Sequence, residues 1–251
     1  MAEPTTTPPR LAVVVGGGGG VGAALVDALD RNLAYDRVIV LSRRRPADEP
    51  APDAGDRRVW IAADILDEVS LARAARQIGA LGTPTLILIA TGVLHAEGLT
   101  PEKSMRALDL DALTRVLQVN AVGPALVAKH LLPLTPRDRP SVLAALSARV
   151  GSIGDNRLGG WYAYRASKAA LNMLIRTLAV EHQRTRPLGI CVALHPGTVD
   201  TALSAPFQGP GLAHRLFTPE QSAAALLAVV EGLGPENNGG FYAWDGAPIP
   251  W

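Results

Sequence analysis

Five consecutive glycines at residues 16–20, followed by Val21 and Gly22, separate an apolar β-branched run at residues 11–15 from a stretch of helical period at residues 21–33. Glycine lacks a Cβ, so such a run lets the backbone take left-handed dihedrals and come close to a bulky anion. The helix that follows offers free N–H groups and the positive end of its dipole to phosphate oxygens. A flexible linker would share the composition but not the strand and amphipathic helix that abut the run. The position therefore marks a phosphate loop in a first strand–loop–helix unit. Gly17, Gly19 and Gly22 fit GxGxxG spacing, while Gly16, Gly20 and Gly22 fit the wider GxxxGxG, so spacing leaves both patterns open.

The alternation continues along the chain. Short apolar runs at residues 37–41, 59–62, 86–90, 142–146 and 190–194 alternate with helical periods at 71–78, 110–132 and 161–183. Thr218, Pro219 and Glu220 read as an N-cap, a proline at the first helical position and an acidic first turn, opening a helix through Val230 before a last strand near residues 241–244. Near-continuous hydrophobic strands joined by helices predict a parallel sheet covered on both faces. The expectation is an α/β, doubly wound, Rossmann-type sheet of about seven strands, in one domain over residues 10–251. Residues 1–9, rich in Pro and Thr, are expected to form a disordered leader. Such sheets bind ligands at the carboxyl ends of their strands, which directs attention to the loops at 43–57, 149–160 and 196–217.

A formal net charge of +1 over 251 residues gives no field that would draw a polyanion or an anionic membrane. No apolar stretch reaches the roughly 18 residues of a spanning helix. The single cysteine, Cys191, excludes an internal disulfide, and the five histidines lack HExxH-type spacing, so no metal site is expected. These features point to a cytoplasmic protein acting on a small molecule, without a nucleic-acid or membrane partner.

The second strand runs into Ser42, Arg43, Arg44 and Arg45. An acid here would hold the ribose hydroxyls of NAD, whereas an arginine suits a 2′-phosphate. Arg43 therefore points to NADP(H), with NAD(H) the alternative and a solvated arginine loop the plain reading. Asp64, after the third strand, is placed either to reach an adenine edge or to cap the next helix.

Tyr164 and Lys168 are four residues apart in a helical stretch and so share one face. An ammonium beside a phenol favours the phenolate, and a tyrosine so tuned can exchange a proton with a substrate oxygen near neutral pH. The chain has only three lysines, Lys103, Lys129 and Lys168, which sets apart one inside a long apolar helix.

A glycine loop, Asn120 in a long helix, a serine-bearing loop, a YxxxK pair and Pro196-Gly197 after the next strand follow one another in the order of the short-chain dehydrogenase/reductase family, which the chain resembles over nearly its whole length after residue 10. Within that family it is most similar to a bacterial C-factor-like subgroup. The resemblance implies an oxidoreductase that moves hydride between a nicotinamide and a carbonyl or alcohol carbon. Tyr164 would be the acid/base, Lys168 would hold the nicotinamide ribose, and Asn120 would order a water in the proton path. Gly16, Gly20, Val21, Gly22, Arg43, Asp64, Gly92, Lys168, Pro196, Gly197, Val199 and Thr201 would contact the cofactor. It also implies a homodimer or homotetramer paired through the helices at 110–132 and 161–183.

Two departures stand out. Where the family often carries Asn-Asn-Ala-Gly, this chain has Ile89, Ala90, Thr91 and Gly92, so only the glycine is kept. Counting back from Gly151, the usual carbonyl-polarising serine is replaced by Ala148, and Ser147 is taken as the substitute, with Ser152 as the other choice. The altered serine loop is the best support for a rival reading, a nucleotide-binding signalling or scaffold protein with little turnover. Trp161, Tyr162 and Leu158 read equally as pocket lining, subunit contact or core. Residues 202–217 have the composition of a substrate lid or of a fixed surface loop. His195, beside Pro196, reads as a structural residue near the site.

Overall fold

The computed structural model describes residues 8–45, 56–208 and 216–251. Most of the expected leader (1–7), part of the arginine loop (46–55) and part of the expected lid (209–215) lie outside the described residues. The strands are β1 (Arg10–Val15), β2 (Arg37–Ser42), β3 (Arg58–Ala62), β4 (Thr83–Ile89), β5 (Ser141–Leu146), β6 (Gly189–His195), β7 (Thr198–Val199), β8 (Leu216–Phe217) and β9 (Phe241–Ala243). The helices are α1 (Gly20–Arg31), α2 (Glu68–Leu81), α3 (Leu110–Leu117), α4 (Gly123–Leu131), α5 (Tyr162–Gln183) and α6 (Pro219–Glu231).

Seven strands form one parallel sheet in the order β3-β2-β1-β4-β5-β6-β9, as the alternation predicts. Successive side chains of a strand point to opposite faces, so each strand feeds two cores. Leu11, Val13, Ile39 and Leu41 pack with Leu71 of α2, Val127 of α4 and Ile175 of α5. Ala12, Val14, Val38 and Val40 pack with Leu25 of α1 and Leu226 of α6 on the other side. Each of these buried Leu, Ile or Val side chains contributes about 1.5–3 kcal/mol of transfer free energy. The strand order reverses between β1 and β4, and the crevice there is the ligand-binding point of a doubly wound sheet.

Three details differ from the expected elements. The period at 110–132 is interrupted by a π-helical turn at Gln118–Val122. Pro124 has no N–H to give the carbonyl of Asn120, four residues back, so the turn widens and the Gly123 N–H donates to the Gln118 carbonyl five residues back. The two-residue strands β7 and β8 pair with each other, Thr198 opposite Leu216 and Val199 opposite Phe217, a pairing too short for periodicity to reveal. Asp67, not Asp64, caps α2 through the N–H groups of Val69 and Ser70. The predicted Thr218 cap is present as a full capping box with Gln221. Among the described residues, no helix is long and apolar enough to cross a membrane.

Candidate active site

The loop from Gly16 to α1 lies at the carboxyl end of β1, fixed by the Gly16 N–H donating to the Leu41 carbonyl at 2.8 Å. Gly16 and Gly20 have φ of 85° and 53°, the left-handed region that glycine favours. A Cβ on Gly22 would lie 2.2 Å from the Gly16 carbonyl oxygen. The three positions that demand glycine in these ways are those of GxxxGxG, while Gly19 has φ 177° and open space around it. Gly17 is also tight, its Cβ position 2.6 Å from Val40 Cγ1, which is why both spacings fit the sequence. Val21 is half-buried against the core on the α1 side. Helix α1 has no side-chain cap, so its first N–H groups face the exposed loop without a protein acceptor supplied by a cap.

The rest of the crevice closes around this loop. Gly18 approaches Ser42 and the Arg44 carbonyl, with Cβ distances of 3.7 and 3.9 Å, which sets the exposed Arg43 beside the loop. Gly20 approaches Thr201 Cγ2 at 3.4 Å from the other side. The segment from Pro196 to Thr201, which follows β6, thus reaches the loop at Thr201, with the Pro196 carbonyl held by Ser222 Oγ at 2.8 Å. Asp64 Oδ1 accepts from the Leu66 N–H at 2.9 Å, an Asx turn ahead of α2. Thr91 Oγ1, buried beside Gly16, has no hydrogen-bond partner among the described residues. A glycine cradle that a Cβ would fill, an uncapped helix start and an adjacent arginine suit a dinucleotide phosphate chain.

Tyr164 and Lys168 are both buried on α5, with the Lys168 ammonium 5.8 Å from the phenol ring centre. Lys168 Nζ donates to the Leu146 carbonyl at 2.8 Å, which ties α5 to the end of β5. A Cβ on Gly92 would meet Asn120 Oδ1 at 3.5 Å and Lys168 Nζ at 3.6 Å, so these three residues converge. The Asn120 side chain pairs with Val93 in both directions: Oδ1 accepts from the Val93 N–H at 2.7 Å, and Nδ2 donates to the Val93 carbonyl at 2.8 Å. Asn120 Nδ2 also donates to Ser167 Oγ at 3.0 Å, and Ser167 Oγ donates to the Tyr164 carbonyl at 2.8 Å. Asn120 therefore locks the loop after β4 to the catalytic-helix candidate α5.

One sequence expectation is reversed here. The lysine was expected to lower the tyrosine pKa, but burial pushes Tyr164 up to about 12 and Lys168 down to about 8. Removing a charge from water costs more than a cation at this distance returns. Tyr164 is accordingly a neutral phenol at pH 7, a proton donor.

Ser147, by contrast, faces α5. It is 3% exposed, and its hydroxyl donates to Asn172 Oδ1 at 2.6 Å, while Asn172 Nδ2 has no partner among the described residues. Ala148 follows it, only partly buried. Ser152 is buried and accepts from the Asp155 N–H at 3.1 Å. His195 is a neutral imidazole whose pKa burial lowers to about 4, and its buried Nδ1 has no hydrogen-bond partner among the described residues.

Residues not singled out from the sequence also shape the site. Ser167 and Asn172 flank Lys168 on α5, and the four-residue step from Lys168 to Asn172 was the available signal. The buried Glu102 accepts from the Ala163 N–H at the start of α5, and nothing in its polar loop distinguished it.

Comparison with known proteins bears on this arrangement. The family model for short chain dehydrogenases matches residues 10–209. The chain is 36% identical over 159 residues to the 1-hydroxy-2-glutathionyl-2-methyl-3-butene dehydrogenase of Rhodococcus sp. strain AD45, covering 63% of this chain and 67% of that protein. It is 35% identical over 145 residues to the C-signal of Myxococcus xanthus, covering 57% of this chain and 81% of that one. The fold matches the NADPH-bound carbonyl reductase from chicken fatty liver with a TM-score of 0.82 at 22% identity, over 98% of this chain and 96% of that one.

Proposed function

The chain belongs to the short-chain dehydrogenase family of oxidoreductases, and on that premise we propose that it uses NADP(H) to interconvert a carbonyl compound and its alcohol, with Tyr164 as the acid/base. The convergence of Gly92, Asn120 and Lys168 beside Tyr164, next to an open glycine cradle, carries this reading. Gly16, Gly20, Val21 and Gly22 with the start of α1 would hold the pyrophosphate, and Arg43 the 2′-phosphate that favours NADP(H) over NAD(H). Asp64 has one carboxylate oxygen engaged in its Asx turn and would offer the other toward the adenine. Gly92, Lys168, Pro196, Gly197, Val199 and Thr201 would surround the nicotinamide and its ribose. The bound nicotinamide supplies or takes the hydride.

The protein's own share is the proton. In reduction, the Tyr164 hydroxyl donates its proton to the substrate oxygen as the carbonyl carbon gains hydride, and the phenolate left behind is stabilised by the Lys168 ammonium. The neutral phenol is the form that gives the proton in reduction, and oxidation would use the phenolate as the base. Asn120 has both amide groups engaged, so its part in returning the proton runs through the main chain of the π turn, whose Asn120 carbonyl lacks the donor that Pro124 cannot supply. Ser147 would polarise the substrate oxygen only after its proton leaves Asn172.

Leu110, Val122, Met173 and Val180 are exposed on the long helices at 110–132 and 162–183, which favours pairing of two or four copies through these faces. Sedimentation equilibrium of the protein, with Met173→Glu as a disrupting variant, tests this.

The test of function is titration with NADPH and NADH by nicotinamide fluorescence, followed by carbonyl reduction with wild type and Tyr164→Phe. Tight NADPH binding retained in Tyr164→Phe, with turnover lost, is the expected result. Nucleotide binding without any turnover in the wild type would favour the signalling reading, and no binding at all would overturn the proposal.

A further inference from the structure

Trp161 has φ 50° and ψ 46°, and it is the one non-glycine residue at positive φ among the described residues. It follows Gly159 and Gly160, also left-handed at 63° and 65°, so the chain makes three left-handed steps directly before α5. Tryptophan is poorly suited to that conformation, which persists only where the surroundings impose it. Here they do. The Trp161 N–H donates to the Glu102 carbonyl at 2.6 Å, and Glu102 Oε2 accepts from Ala163 two residues on. Arg165 Nε donates to the Gly160 carbonyl at 3.0 Å, and its Nη1 to the Val150 carbonyl at 3.2 Å.

The conformation sets the indole at the edge of the Tyr164 ring, centroids 6.2 Å apart and planes at 77°. The other side of the indole meets Phe207 at 5.0 Å and 61°, and Phe207 meets His95 at 5.6 Å and 69°. His95 is anchored by its Nε2 to the Ala202 carbonyl at 2.9 Å. Four rings from three separate segments thus run from the buried phenol outward. Trp161, Phe207 and His95 are each only partly buried, and neither Trp161 nor Phe207 joins the clusters that build the core. A strained backbone that holds a large ring half in solvent beside the proton donor is unexplained by packing.

We propose that Trp161, with Phe207 and His95, forms the wall that determines substrate specificity and selects carbonyl compounds bearing a planar aromatic group beside the carbonyl. Edge-to-face contact with an aryl ring continues the T-shaped pattern already present among these residues. An aliphatic group of the same length gains area there but not this geometry. The inference rests on the proposed reductase reading for its reaction, though the wall's preference for aryl groups is measurable without turnover.

The experiment compares wild type with Trp161→Gly and Trp161→Asn, both residues that accept left-handed φ, so the turn before α5 is kept. Thermal midpoint and NADPH affinity are expected to match or exceed wild type. The ratio of kcat/KM for acetophenone over that for cyclohexyl methyl ketone should fall at least tenfold in both variants, and to a smaller extent in Phe207→Leu. Saturation-transfer NMR with 1-phenylethanol is run alongside, and its signal should drop in the Trp161 variants. An unchanged ratio, or an unchanged 1-phenylethanol signal in well-folded variants, overturns the proposal. A wild type that turns over neither ketone fails the reductase reading instead, and the NMR comparison then decides the aromatic wall alone.

Discussion

Replacing Gly22 by alanine tests the closest approach in the cradle. The added methyl would lie 2.2 Å from the Gly16 carbonyl oxygen, 2.9 Å from its carbon and 3.2 Å from Gly17 Cα. All three are backbone atoms, so no side-chain rotation relieves the clash, and the loop and α1 must separate by about 1 Å to reach a tolerable contact. Overpacking of this kind costs about 1–3 kcal/mol. Alanine returns up to about 1 kcal/mol through its higher helix propensity. The net expectation is a destabilisation of roughly 1–2 kcal/mol, a fall in thermal midpoint of about 2–8 °C for a chain of this length. Because the displaced element is the cradle itself, NADPH affinity should fall at least tenfold. Gly19→Ala is the control, since Gly19 has extended backbone and no atom within 4 Å of its Cβ position, and its stability should stay close to wild type. Urea and thermal denaturation with fluorescence titration read both effects. A Gly22→Ala protein with wild-type midpoint and affinity would refute the claim that this contact defines the loop.

Arg43→Ala should weaken NADPH at least tenfold and leave NADH nearly unchanged in the same titration; equal losses would remove Arg43 from the 2′-phosphate. Ser147→Ala removes a buried hydrogen bond and leaves the Asn172 amide without its one partner, a cost of about 1–3 kcal/mol seen in urea unfolding, whereas Ala148→Ser should raise kcat by restoring a hydroxyl at the family position. Lys168 is held at about 8 when folded against 10.5 when unfolded, so the unfolded chain binds more protons and stability rises with pH from about 8 to 9, above which Cys191, pushed up to about 12 from 9, offsets the rise and Tyr164, pushed up to about 12 from 10, turns it downward. Lys168→Met should abolish that rise in urea midpoints between pH 8 and 9, and an unchanged slope would contradict the burial argument. His182 and His195, both lowered to about 4 by burial, stabilise fully above about 6.5 and lose that contribution as pH falls toward 4, so His195→Asn should flatten the midpoint decline between pH 6.5 and 4.5.

Local sequence was enough for the seven strands of the main sheet and for the main helices, though not for the β7–β8 pair or the π turn. The hydrophobic strands, Thr218 cap and glycine run each write a signal within a few residues, because dihedral preference and periodic burial are short-range properties. The family motifs picked out Gly16, Asn120, Tyr164, Lys168 and Pro196, each of which sits at a strand end or on a helix whose position the alternation fixes.

Tertiary structure decided what depends on distance and dielectric. Both glycine spacings fit the sequence, and only the left-handed φ of Gly16 and Gly20, against the extended backbone and open space at Gly19, selects one. The Tyr164 pKa moves opposite to the expectation because burial, a sum over the whole fold, outweighs one lysine on the same helix. The Ser147 hydroxyl turns to Asn172, a partner 25 residues away. Trp161, ambiguous as a residue type, acquires meaning from a backbone angle imposed by Glu102 and from a ring contributed by Phe207, 46 positions along the chain.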